Sequence, residues 1–319
     1  MTQQLNLPYL SDQRQKLSEK INTSLPGNMD ELRGQPILVG REMGNTPLGR
    51  WSASSSNGTH AIPLIQEERI IVSIDSSALP VAQLEEGYVV ASRLSIVFSL
   101  FGAPKRFIRI GPLLHFLKAR QIVTLREPKN EGQDPSAYGK FLRCNLEQLA
   151  AQLVSRMDDT CILLDGSLAY WDWQTYEAPH STYVAISKSI PFRDQKSYSH
   201  PLGEGEFRCS YTSTRSMIKE SYETLYVRFG KSPFILRVDV ATQDHDTWYP
   251  LGLIKKNDTL SNGYPESLRL AHHFSIFTQM EIESLRYQVL TQYDPIENPS
   301  YNLRKAILGN AYFRGNRRI

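Results

Sequence analysis

The sequence predicts an α/β protein with a mixed central sheet flanked by helices. Three observations predict it: β-rich runs succeed one another between residues 69 and 110, a stretch of helical periodicity starts at 135, and an apolar strand-like run follows from 160. Strands in succession, then a helix, then more strands suit a mixed sheet with helices on its faces.

The first run, Arg69-Ile70-Ile71-Val72-Ser73-Ile74-Asp75, is β-branched, as a buried strand is, and ends in a carboxylate. Residues 88–100 and 106–110 read as the next two strands, joined by Phe101-Gly102-Ala103-Pro104-Lys105 in an antiparallel hairpin. A long helix then runs to about 156, with Asp134 as N-cap, Pro135 at the first helical position, and Leu142, Leu146, Leu149 and Leu153 at helical spacing. Thr160-Cys161-Ile162-Leu163-Leu164-Asp165-Gly166-Ser167 is an apolar strand that ends in a second carboxylate and a turn, and residues 182–187 form a further strand ending at Lys188. Residues 223–229 and 233–240 make a second hairpin through Gly230-Lys231-Ser232. The closing third is helical: Leu268, Ala271 and Phe274 share one face, and Thr278 with Glu281 forms a capping box that opens another helix. Ribonuclease H-like folds have this order of elements, and so do other α/β architectures.

This body, residues 61–290, is flanked by an N-terminal arm and a C-terminal tail. The arm, 1–60, holds a helix over 11–21 and a Ser/Asn/Gly-rich loop over 51–60. The tail, 291–319, is basic: Arg304, Lys305, Arg314, Arg317 and Arg318 surround Tyr312 and Phe313, a mixture that suits either DNA strands or plain solvation. Over the whole chain of 319 residues, 40% apolar content suffices for a sizeable core, and a net charge of +3 means that any polyanion contact comes from a local patch. Cys144, Cys161 and Cys209 are odd in number and lack C-x-x-C spacing, which points to a reducing compartment and away from a cysteine zinc site. With no signal-peptide core and no apolar stretch long enough to span a bilayer, a cytoplasmic protein without membrane contact is expected. The absence of a G-x-S-x-G elbow excludes a common serine-hydrolase arrangement, and the absence of a P-loop means the chain is not itself an ATP-driven motor.

Asp75 and Asp165 each terminate an apolar strand, where ligands collect in open α/β sheets. Glu147, on the intervening helix at the edge of the Leu146, Ala150 and Val154 stripe, projects toward those strand ends. Three converging carboxylates would raise each other's pKa unless a cation were present. Hard divalent ions prefer oxygen ligands, and a pair roughly 4 Å apart can activate water and stabilise the leaving oxygen of a phosphodiester. In such a site Asp75 takes the bridging position, with Glu147 and Asp165 flanking. An Asp followed by Gly or Ser is, taken singly, also an ordinary turn residue. Lys188 suits a phosphate contact or a solvated strand edge. Asp239 suits an extension of the acidic cluster or a structural pair with Arg237. Tyr264 suits orientation of a water or phosphate, or packing ahead of Pro265.

Read in order, these pieces resemble the NurA nuclease domain, a family found beside the HerA translocase in DNA end processing. They are Ile74-Asp75-Ser76-Ser77, Arg143 with Glu147, Leu164-Asp165-Gly166-Ser167-Leu168, Ile186-Ser187-Lys188, Arg237-Val238-Asp239, and Tyr264-Pro265 with Leu268 and Ala271-His272. The resemblance implies that Asp75, Glu147, Asp165 and His272 hold metal, two Mn²⁺ or Mg²⁺ ions, and that Tyr264 is needed nearby. His272 outranks His273, because neighbours on a helix point about 100° apart. The implied activity is that of a deoxyribonuclease, a 5′-to-3′ exonuclease and single-strand endonuclease in end resection and recombinational repair. The implied assembly is a homodimer on a HerA-type hexameric ATPase, acting on single- and double-stranded DNA ends. A catalytically weak docking subunit of the same fold is the alternative. One departure stands out: Ser76 follows Asp75 where the family often has Gly.

Overall fold

The computed structural model describes residues 51–52, 58–84, 87–118, 135–155, 157, 160–168, 182–187, 202–214, 221–241, 246 and 248–292. The expected helix over 11–21, the Asp134 cap, Lys188 and the tail beyond residue 292 lie outside them. Two short strands, β1 (Trp51–Ser52) and β2 (His60–Ala61), precede three long ones, β3 (Ile70–Leu84), β4 (Gly87–Leu100) and β5 (Ala103–Lys118). Helix α1 (Pro135–Val154) leads to β6 (Thr160–Asp165) and β7 (Thr182–Ser187), followed by β8 (Glu206–Thr214), β9 (Ser221–Arg228) and β10 (Leu236–Ala241). Then come α2 (Tyr249–Asn257), the two-residue strands β11 (Leu260–Ser261) and β12 (Tyr264–Pro265), α3 (Glu266–Ser275) and α4 (Gln279–Gln292).

One mixed sheet runs in the order β5-β4-β3-β6-β7-β10-β9-β8, with β1 and β2 both on β8. β3, β4 and β5 are antiparallel neighbours, whereas β6 runs parallel to β3 and β7 parallel to β6. Three antiparallel strands, a helix, and then strands parallel to the first form the ribonuclease H-like order. Alternation along the strands sorts side chains to two faces. Val72, Ile74, Ile162 and Leu164 pack against Leu142, Leu146 and Ala150 of α1. Ile71, Cys161, Leu163 and Val184 face Leu251 and Ile254 of α2 and Leu268 of α3.

Three expectations need correction. β3 does not end at Asp75 but continues to Leu84, because β4 keeps pairing with it after β6 has stopped at Asp165. β5 spans 103–118 rather than 106–110: its turn is only Phe101-Gly102, both at positive φ (54° and 76°), and Pro104 is tolerated because β5 is an edge strand. The segments 206–214 and 249–257, unassigned in the sequence, are β8 and α2. The capping box does open α4, with the Glu281 carboxylate accepting from Thr278 N at 2.8 Å and Glu281 N donating back to Thr278 Oγ1 at 3.2 Å. No helix among the described residues is long and apolar enough to cross a membrane.

Candidate metal centre

Parallel pairing aligns Ile74 with Leu164, so the next residues, Asp75 and Asp165, come level on adjacent strands. β6 ends there, which opens a gap beside β3. Gly166 leads the chain away at φ 130°, a conformation L side chains rarely adopt. Across the gap lies α3, pegged to the sheet by hydroxyls. Ser73 Oγ meets Ser267 Oγ at 2.6 Å, and Ser267 in turn donates to the buried Asp258 carboxylate, which also accepts from Ser267 N at 3.2 Å. Ser77 Oγ donates to the Ser275 carbonyl at the other end of the helix.

So anchored, α3 delivers His272. Its Nδ1 lies 2.9 Å from Asp75 Oδ2 and 3.4 Å from Asp165 Oδ2. One potential ligand atom from each of Asp75, Asp165 and His272 falls within 4.8 Å of the others. Side-chain exposure grades outward from Asp75 at 1% through Asp165 at 13% to His272 at 46%, so the centre opens to solvent on the histidine side. Tyr264 Oη donates to Asp165 Oδ1 at 3.5 Å. Burial, then the charges of Asp165 and Asp75, drive the phenol well above its ordinary pKa, so Tyr264 stays protonated and acts as a donor.

The two oxygens of Asp75 differ. Oδ2 accepts from Ser275 Oγ at 2.7 Å, whereas the buried Oδ1 has no hydrogen-bond partner among the described residues and faces an Arg143 nitrogen at 3.6 Å. Glu147 arrives from the α1 face of the sheet, its Oε1 accepting from Ser76 Oγ at 2.7 Å and Ser76 N at 3.2 Å. Burial, then the neighbouring Asp75 charge, push its carboxyl up to about 8. A buried, unpartnered carboxylate oxygen beside further oxygen donors and one imidazole nitrogen is a donor set that fits a hard divalent cation.

Of the residues singled out in the sequence, Asp75, Asp165 and His272 converge, Tyr264 reaches Asp165, and Glu147 lies beside this group, joined through Ser76. Ser76, the departure from the family pattern, is an ordinary strand residue whose hydroxyl supports Glu147. His273 is exposed, its ring 5.9 Å from that of Phe274. Asp239 is fully buried with both oxygens occupied: Oδ1 accepts from Thr224 Oγ1 (2.8 Å) and Arg237 Nε (3.1 Å), Oδ2 from Ser167 Oγ (2.6 Å) and Leu168 N (3.1 Å). It pins the turn after Asp165. Sequence reasoning missed Ser275 and gave the Arg143 side chain no role. The available signal was helical spacing, since each stands one turn from a candidate ligand, Ser275 after His272 and Arg143 before Glu147.

No family model and no curated protein matches the sequence. Among solved structures, the NurA nuclease from Sulfolobus solfataricus is similar at 16% identity, covering 92% of this chain and 98% of that chain with a TM-score of 0.47. A second NurA crystal structure is similar at 11% identity, covering 92% of this chain and 100% of that one, TM-score 0.43. Endonuclease V from Bacillus subtilis is similar at 12% identity, over 73% of this chain and 88% of its own, TM-score 0.35. Identities this low carry no chemistry from one chain to another. The similarity to the two NurA structures is distant, with both TM-scores below 0.5.

Proposed function

We propose that this chain is a metal-dependent deoxyribonuclease that hydrolyses DNA phosphodiesters, as a 5′-to-3′ exonuclease and single-strand endonuclease in the resection and recombinational repair of broken DNA ends. One observation carries the reading: Asp75, Asp165 and His272 each bring a potential ligand atom within 4.8 Å of the others, and the second oxygen of Asp75, Oδ1, is buried without a hydrogen bond among the described residues. Burying a bare carboxylate oxygen is costly, and function is the usual reason such a cost is kept.

Asp75, Asp165 and His272 would hold one Mn²⁺ or Mg²⁺, and Glu147, on the far side of Asp75, would share a second with it. When bound, such ions polarise the phosphate and make a coordinated water easier to deprotonate. The chain's own groups do the rest. Ser275 fixes the Asp75 carboxylate through Oδ2 and leaves Oδ1, on the Arg143 side, open to a ligand. Tyr264, kept neutral, offers its proton on the Asp165 side. The half-exposed His272 marks the mouth by which a DNA strand would enter. The family resemblance adds a homodimer docked on a HerA-type hexameric ATPase.

The test is degradation of 5′-labelled single- and double-stranded DNA in Mn²⁺, Mg²⁺ or EDTA, with and without a cognate ATPase. Cleavage is expected with either metal and not in EDTA, with a loss of at least about 100-fold in Asp75→Ala and in Asp165→Ala. Activity that survives EDTA, or both substitutions, overturns the reading.

A further inference from the structure

Arg143 has no part in the chemistry above, yet its side chain reaches the centre. It stands one turn before Glu147 on α1, and its Nε donates to the Ser76 carbonyl oxygen at 2.8 Å. One terminal nitrogen lies 3.6 Å from Asp75 Oδ1 and 3.9 Å from Glu147 Oε1. Those separations bring the charges close without completing a hydrogen bond. The guanidinium thus leans on the bare oxygen without satisfying it. Its side chain is also 40% exposed, against 1% for Asp75 and 8% for Glu147, so it spans from the buried carboxylates to solvent.

Arginine keeps its charge at every working pH, and its donors form a rigid fork that matches phosphate oxygens. A divalent cation on Asp75 Oδ1 would therefore meet a permanent positive charge close by, and the two repel. The Nε bond to the Ser76 backbone is independent of the carboxylates. A guanidinium displaced from Oδ1 stays tethered on the α1 side of the centre, where its side chain is already 40% exposed.

We propose that Arg143 is a catalytic residue with two successive partners: Asp75 and Glu147 while the centre lacks a divalent cation, and a non-bridging oxygen of the scissile phosphate once the cation is in place. The second partner rests on the nuclease reading; the first does not. On the first, Arg143 is a built-in competitor of the metal. On the second, it stabilises charge that gathers on the phosphate as the P–O bond breaks.

The experiment compares the full-length wild type with Arg143→Gln and Arg143→Lys. Three quantities are read: melting temperature in EDTA, Mn²⁺ affinity from the electron paramagnetic resonance of the free ion, and single-turnover cleavage of a labelled single strand at saturating Mn²⁺. In Arg143→Gln the metal-free protein melts earlier, Mn²⁺ binds at least about five-fold more tightly, as expected when a coupled competitor is removed, and cleavage slows about 100-fold. Arg143→Lys keeps the charge but not the fork, so its Mn²⁺ affinity stays near wild type while its rate falls between the other two. Unchanged Mn²⁺ affinity in Arg143→Gln overturns the proposal whether or not the wild type cuts DNA. Cleavage by Arg143→Gln within about twofold of wild type at saturating Mn²⁺ also overturns it, since a lost transition-state contact costs far more. A wild type that binds Mn²⁺ but cuts no DNA overturns the nuclease reading, and the phosphate contact falls with it.

Discussion

Asp75 and Asp239 are both aspartates buried to within 1% in the middle of one sheet, and they are kept in opposite ways. Donors from four residues, Thr224, Ser167, Leu168 and, through two nitrogens, Arg237, converge on Asp239, and both of its oxygens are occupied. Asp75 has a hydroxyl and an imidazole on one oxygen, and on the other, among the described residues, only the distant guanidinium of Arg143. Burial alone therefore does not mark a functional carboxylate. The difference lies in what the surroundings leave undone: both oxygens of Asp239 are closed into the structure, whereas Oδ1 of Asp75 is left without a donor among the described residues.

The sharpest way to break this comparison is to remove each carboxylate. Asp75→Asn is expected to lower cleavage at least about 100-fold, with little loss of stability in EDTA, because a neutral isostere keeps the shape and sheds a bare charge. Asp239→Ala strips a buried ion pair of one member, and urea unfolding should register a loss of about 3–5 kcal/mol, with or without metal. If Asp75→Asn is the less stable of the two in EDTA, the distinction collapses.

A smaller effect belongs to Ser275, which touches Asp75 but would not touch an ion. Ser275→Ala should weaken Mn²⁺ binding about tenfold, the scale of groups that orient a metal ligand, and an unchanged affinity would remove it from the centre. The mildest expectation concerns pH. The Glu147 carboxyl is raised from its ordinary value of 4.5 to about 8, by burial first and the Asp75 charge second. The folded chain then holds a proton that the unfolded chain has released, so metal-free stability is full below about 4.5 and declines as pH rises toward about 8. Melting curves in EDTA should show that decline, and Glu147→Gln should flatten it.

The strands β6 and β7 were readable to the residue, because short buried strands are uninterrupted apolar runs and their ends coincide with Asp165-Gly166 and Ser187. β3 and β5 were read too short, because beyond Asp75 their outer halves mix Ser, Pro and Gly with apolar residues and are held by hairpin pairing, which period and propensity do not encode. The candidate ligands were legible as residue types at element ends. Their partners were not: Ser275 is 200 positions from Asp75 in the chain, Arg143 reaches it from the opposite face, and the one local mark, a place one helical turn from a candidate ligand, is shared by many serines and arginines that make no such contact. Asp239 shows the same limit from the other side, since the pair with Arg237 was legible two positions away but the donors from Thr224, Ser167 and Leu168 were not.

The step-for-step alignment of Ile74 with Leu164 has a consequence for how the centre can drift over time. Its two aspartates sit on hydrogen-bonded neighbours, so the distance between their backbones is the strand spacing of about 4.8 Å, set by peptide geometry rather than by side-chain fit. Exchanging the core residues beneath would alter stability while leaving the width of this bite alone. Only a slip in pairing, which would turn one carboxylate to the opposite face, could spoil it. Chains that have lost nearly all common sequence can keep such a bite for as long as two strands keep step.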